Sequence, residues 1–205
     1  MWLLSGTLAT VFAALVGPTS FGPLNHVDDS NYADRMLTPF DGSHVKPKLV
    51  ASRKNFPLKV VVLNQSPYFT PLRFQLVKDA CLAWSEATKS VPGGGATMEV
   101  IQAQVARGAD VIIWLGTRSQ ALGYEGMTRE LGPAAVISLA VVDEGVPVSD
   151  MKLKRVTMHE FGHALGIWGH SPDATDIMSL HDETLSISSA DVNTLVLAYT
   201  AKSKR

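Results

Sequence analysis

Apolar and polar positions fall into distinct periods along the chain. LKVVVL at 58–63 has the β-branched density of a strand. Thr70 and Pro71 then open a helix: the hydroxyl accepts from a free N–H, and the proline lacks an N–H that the first turn does not use. That helix stops before Pro92-Gly93-Gly94-Gly95. TMEVIQAQ (97–104) alternates as a half-buried strand does, while ADVIIWLG (109–116) and AAVISLAVV (134–142) are continuous apolar strands. The glycine-rich TRSQALGYEGMTRELGP between those two predicts an exposed loop. Ser149 or Asp150 caps a second long helix. Ser188-Ser189-Ala190-Asp191 then forms a capping box for a last one, with Val192, Leu195, Val196 and Tyr199 on one stripe. The order is β, α, β, β, β, α, loop, α, with no internal repeat.

The amino-terminal region has a different character. Residues 2–16, WLLSGTLATVFAALV, carry no charge. They fall short of the roughly 20 residues that span a bilayer as a helix, but match the core of a signal peptide. No Lys or Arg precedes the run and no A-x-A site follows it, so residues 1–22 read as a signal peptide or an uncleaved signal anchor. Either reading predicts a secreted or extracytoplasmic protein; the second adds membrane anchoring through residues 2–16. Residues 23–54 hold scattered prolines without apolar periodicity and read as a linker or pro-like segment, leaving 55–205 as the folded domain.

Charge and cysteine content narrow the chemistry. Eighteen basic against nineteen acidic residues give a net charge of −1, which disfavours a nucleic-acid partner. The one cysteine, Cys81, excludes an internal disulfide and a cysteine-based zinc cluster, and it shares a helix face with Val77, Ala80 and Trp84, as a small core residue would.

The chemistry concentrates in residues 157–179, TMHEFGHALGIWGHSPDATDIMS. His159 and His163 lie four apart on the second helix, so both imidazoles project from one face, as two nitrogen ligands of one ion require. The Glu160 carboxylate can stand beside the ion and take a proton from its bound water. Gly166 allows the helix to end and reverse, returning His170 as third ligand. Three nitrogens leave a fourth position for water, the arrangement of a catalytic rather than a structural site. His-Glu-x-x-His arises by chance in about one chain of this length in a few hundred, so the added glycine, third histidine and methionine lift the pattern well above chance.

These residues resemble the metzincin zinc endopeptidases, and within them the matrixins, whose pattern is HExxHxxGxxH followed by a methionine turn. His159, Glu160, His163 and Gly166 match position by position. His170 departs: Ile167-Trp168-Gly169 separate it from Gly166 where the family has two residues. A one-residue insertion keeps His170 as ligand, with Asp173 or Asp176 as alternatives. The resemblance spans roughly residues 55–202. It implies an α+β, metzincin-like zincin fold, with a twisted mixed sheet packed on two long helices, an active-site helix, a Met-turn and a C-terminal helix. It further implies one catalytic zinc ion, Met178 as the floor beneath it, and Ser179, Leu180 and His181 as a substrate-pocket wall. A peptide or protein substrate would lie along AAVISLAVV as the sheet edge and be cut by metal-activated water, with Glu160 as general base, in a monomeric enzyme. There is no PRCGxPD segment, and residues 55–202 hold no His-x-Asp loop of the kind that carries a second, structural zinc, so neither a cysteine switch nor that zinc with its calcium sites is carried over. Two other readings stay open: a non-catalytic extracytoplasmic zinc-binding module, and a zincin whose third ligand is a distant glutamate.

Overall fold

The computed structural model of the chain describes residues 30–35, 56–181 and 184–200. The expected signal or anchor at 1–22 and most of 23–54 lie outside them. Among the described residues, no helix is long and apolar enough to cross a membrane.

Among the described residues, six strands and three helices follow a short 3-10 turn, Ala33–Arg35. β1 (Leu58–Leu63), β2 (Met98–Ala103), β3 (Val111–Thr117) and β5 (Ala134–Asp143) run parallel. β4 (Gly126–Leu131) runs antiparallel to β5, giving the order β2-β1-β3-β5-β4, and β6 (Val146–Pro147) pairs with the end of β5. α1 (Pro71–Thr88) and α2 (Asp150–Leu165) pack on each other, α1 against β2 and α2 against β5 and β4. α3 is Ser189–Thr200. At this coarse level, a mixed sheet with helices packed on it is the architecture expected.

Two expectations need correction. The segment 117–133 is not all loop, because β4 lies within it, tied to β5 by a two-residue connection whose Gly132 takes φ 59. Glycine tolerates that left-handed conformation, and short hairpin connections demand it. AAVISLAVV is therefore not an edge. β5 sits between β3 and β4 and is buried along most of its length, which explains its continuous apolar run. The sheet edges are β2 and β4.

Helix boundaries follow local chemistry. Thr70 Oγ1 accepts from Arg73 N–H at 3.2 Å, and Ser149 rather than Asp150 caps α2, accepting from Lys152 N–H at 3.3 Å. The box at α3 is reciprocal. Asp191 N–H donates to Ser188 Oγ at 3.0 Å, and Ser188 N–H donates to Asp191 Oδ2 at 2.9 Å. Leu195 and Val196 are fully buried, and Val192 and Tyr199 pack against the same core. Cys81 is also buried, and burial raises its thiol pKa, so it stays protonated and unreactive. Between the helices, Trp84 is fully buried and donates from Nε1 to Met158 O at 2.9 Å, fixing α2 against α1.

Candidate metal centre

α2 carries the first part of the site. His159 and His163 are one turn apart on its buried face, with ring centroids 4.8 Å apart and planes nearly perpendicular. The helix ends at Leu165. Gly166, at φ 120, reverses the chain while its N–H donates to His163 O at 2.9 Å. Ile167 turns inward and is fully buried, Trp168 lies over His163 with ring centroids 6.2 Å apart, and His170 returns to the helix face. The His170 ring stacks on His159 at 5.2 Å and meets His163 edge-on at 5.0 Å. The longer turn is thus absorbed by Ile167 and Trp168, and His170 reaches the other two rings.

The three ligand nitrogens lie within 4.8 Å of one another. A tetrahedral ion about 2.1 Å from each nitrogen holds them roughly 3.4 Å apart, so closure draws the nitrogens together by about 1.4 Å at most. Tautomers fit as well. His159 Nδ1 is 2.9 Å from Ile177 O, and His163 Nδ1 is 2.6 Å from Ile167 O. A carbonyl can only accept, so each Nδ1 carries the hydrogen and each Nε2 keeps its lone pair for a metal. Burial keeps the rings neutral: it lowers the pKa of His159 well below the ordinary value and those of His163 and His170 to about 4, with neighbouring imidazoles adding to the effect at His159 and His170. Neutral, oriented, converging imidazoles are a donor set that suits zinc.

The alternative third ligands are engaged elsewhere. Asp176 accepts from Ser171 Oγ at 2.5 Å, and Asp173 accepts from Thr175 N–H at 2.9 Å and from its hydroxyl at 2.8 Å. Neither joins the cluster of metal-capable side chains found among the described residues.

Glu160 lies on α2 against β4. Burial raises its pKa to about 7, opposed by hydrogen bonding from Thr128. Thr128 Oγ1 lies 2.7 Å from Glu160 Oε2 and 2.9 Å from Glu160 O. Met178 is fully buried, and a Cβ at Gly162 would overlap Met178 Sδ and sit 2.8 Å from Trp84. α2 therefore meets the methionine through a bare backbone position. Ser171 N–H donates to Met178 O at 3.0 Å, closing the loop that leads to Met178.

Of the three residues expected to wall a pocket, Ser179 is fully buried and its Oγ accepts from His181 N–H at 3.3 Å, while Leu180 and His181 are exposed. Arg155, one turn before His159, donates from Nη2 to Ser179 O at 2.9 Å and to His181 O, anchoring this segment to α2. A cavity of about 400 Å³ opens beside Val148 and Val156, rimmed by Glu125, Lys152, Arg118 and Asp143.

Asp191 was legible only as a helix cap, yet it does more. Fully buried, it accepts from Ile177 N–H at 3.0 Å and Met178 N–H at 3.4 Å, and from the Tyr32 hydroxyl at 2.5 Å. Tyr32 N–H donates to Thr194 Oγ1 at 3.0 Å and Asn193 Nδ2 donates to Ser30 O at 2.9 Å, so residues 30–35 dock on α3. Thr128, Gly126 and Arg155 are likewise absent from any motif.

No protein-family model matches the chain, and no curated protein matches it. Among solved structures, that of myroilysin is similar: 15% identical, covering 70% of this chain and 92% of that one, with a TM-score of 0.43. A likeness that weak carries no functional argument, and the chemistry rests on the residues above.

Proposed function

We propose that this protein is a zinc-dependent endopeptidase working outside the cytoplasm, with His159, His163 and His170 as metal ligands and Glu160 as general base. The observation that carries the reading is the pairing of three converging neutral imidazoles with a carboxylate whose burial raises its pKa to about 7. A purely structural site gains nothing from such a base. Zinc bound by the three rings would supply an acidified water and a positive charge that polarises a carbonyl. Glu160 accepts the proton of the attacking water and delivers it to the leaving amine. The substrate peptide adds its backbone to the outer edge of β4, which among the described strands pairs only with β5. In this reading Leu180 and His181, in the segment that Arg155 holds, wall the substrate pocket, and Met178 forms the floor beneath the metal.

The test uses the full chain. Zinc content is measured, and a broad peptide library is digested with and without chelator, beside a Glu160→Gln variant. The reading expects about one zinc per chain, chelator-sensitive cleavage, and a variant that retains zinc but loses cleavage. Stoichiometric zinc with no cleavage anywhere in the library would leave a metal-holding binding module instead.

A further inference from the structure

We infer that Gly126 and Thr128 on β4 form a cradle that positions the Glu160 carboxylate, making Thr128 a positioning residue for the general base; this rests on the peptidase reading above. The two residues alternate onto the same face of the strand, the face toward α2. A Cβ at position 126 would lie 2.6 Å from Glu160 Cγ, 2.6 Å from Val156 Cγ1 and 2.9 Å from Glu160 Oε1. Contacts that short are not sustainable, so only glycine lets the strand backbone close on the glutamate side chain there. Two residues on, Thr128 Oγ1 lies 2.7 Å from the other carboxylate oxygen, Oε2. One oxygen is therefore confined by bare backbone and the other is held by a hydroxyl.

The hydroxyl also sits 2.9 Å from the Glu160 carbonyl oxygen. A threonine hydroxyl has one hydrogen to donate and lone pairs to accept with. Facing an ionised carboxylate it donates to Oε2. Facing a protonated carboxyl it accepts from that group and turns its own hydrogen to the carbonyl. The same side chain thus holds Glu160 in one place both before and after the proton is taken. Both cradle residues are fixed in register, Gly126 opposite Leu139 and Thr128 opposite Ile137 on buried β5, so the cradle is part of the sheet and not of a loop. Because β4 is also the edge where an extended peptide would add, seating the peptide and aiming the base depend on one strand.

Thr128→Val keeps the shape and removes the hydroxyl, Thr128→Ser keeps the hydroxyl, and Thr128→Ala removes it without new atoms should valine not fold. For the full-length zinc-loaded protein on a peptide found by library digestion, Thr128→Val is expected to lower kcat by about 10–100-fold, with KM within about threefold and zinc affinity unchanged. Thr128→Ser should return kcat to within about threefold of wild type. Crystal structures of the metal-free wild type and Thr128→Val supply a readout free of activity: the Glu160 carboxylate should keep its place in the first and leave β4 in the second. An unchanged kcat in Thr128→Val, an equal loss in Thr128→Ser, or a Glu160 carboxylate that stays put without the hydroxyl would each overturn the proposal. Absence of cleavage by wild type would sink the peptidase reading, while the crystallographic comparison would still decide the cradle.

Discussion

Glu160→Gln should make the metal-free protein more stable, and only above mildly acidic pH. Glu160 is buried against β4 and α2, and burial raises its pKa from 4.5 to about 7. Below pH 4.5 the carboxyl is protonated in both folded and unfolded chains, and its burial costs no charge desolvation. As pH rises from 4.5 to about 7, the unfolded chain releases the proton while the folded chain retains it, so the wild type loses stability across that window. At about 1.4 kcal/mol per pH unit, the accumulated loss by pH 8 is about 3 kcal/mol. Glutamine has the same shape, accepts from Thr128 and carries no charge, so the variant escapes the loss.

The neighbouring histidines act in the opposite sense. Burial depresses His163 from 6.5 to about 4, so its contribution is present in full above 6.5, declines as pH falls and is gone below about 4, again about 3 kcal/mol. His159 and His170 shift the same way. Acidification should therefore destabilise both proteins overall, and the quantity to read is the difference between them. Urea unfolding in the presence of a chelator, at half-unit steps from pH 4 to 8, should find Glu160→Gln ahead by about 3 kcal/mol at pH 8, with the two converging by pH 4.5. A difference independent of pH, or no difference at pH 8, would refute the claim that Glu160 is buried at an electrostatic cost. The chelator is essential, because a cation beside the carboxylate would lower its pKa and erase the effect.

Other outcomes follow from the same contacts. Zinc at 100 times its Kd should raise the unfolding free energy by about 2.7 kcal/mol, read as a zinc-dependent rise in Tm that His170→Ala largely abolishes. Gly162→Ala should lower stability by roughly 1–3 kcal/mol, since the added Cβ collides with Met178 Sδ and Trp84, outweighing the helix-propensity gain of about 1 kcal/mol; thermal denaturation measures the sign. Asp191→Ala removes the buried acceptor of Ile177 and Met178 N–H and of Tyr32, and should cost roughly 2–5 kcal/mol by urea unfolding. A loss below about 1 kcal/mol there would mean that the turn is held by other contacts.

What the sequence disclosed about this site, and what it hid, divides by range along the chain. His159 and His163 were legible as neighbours because helical spacing sets which side chains share a face, whereas Glu160 was read from its place directly after the first histidine of the motif. His170 was legible through the glycine that reverses the chain, although the extra residue had to be reconciled by the inward turn of Ile167. The parallel strands declared themselves by apolar runs, because both faces of such strands are covered. Asp191 was half legible: its cap to Ser188 is local, but its grip on Ile177 and Met178 spans more than ten residues and has no local signature.

β4 escaped altogether, and the reason lies in its task. GMTREL has little β-branched content and opens on glycine, so propensity favours a loop. Its strand conformation comes from pairing with β5, and its sequence answers to Glu160 instead. A valine or isoleucine at 126 would have made the strand easy to recognise, and would also have driven its Cβ into Glu160 and Val156. At that position the residue that would declare the fold is the one that would displace the Glu160 carboxylate. A segment that reads poorly as a strand, yet pairs in full register with a buried neighbour, is therefore where this fold has given up local preference for the placement of one carboxylate.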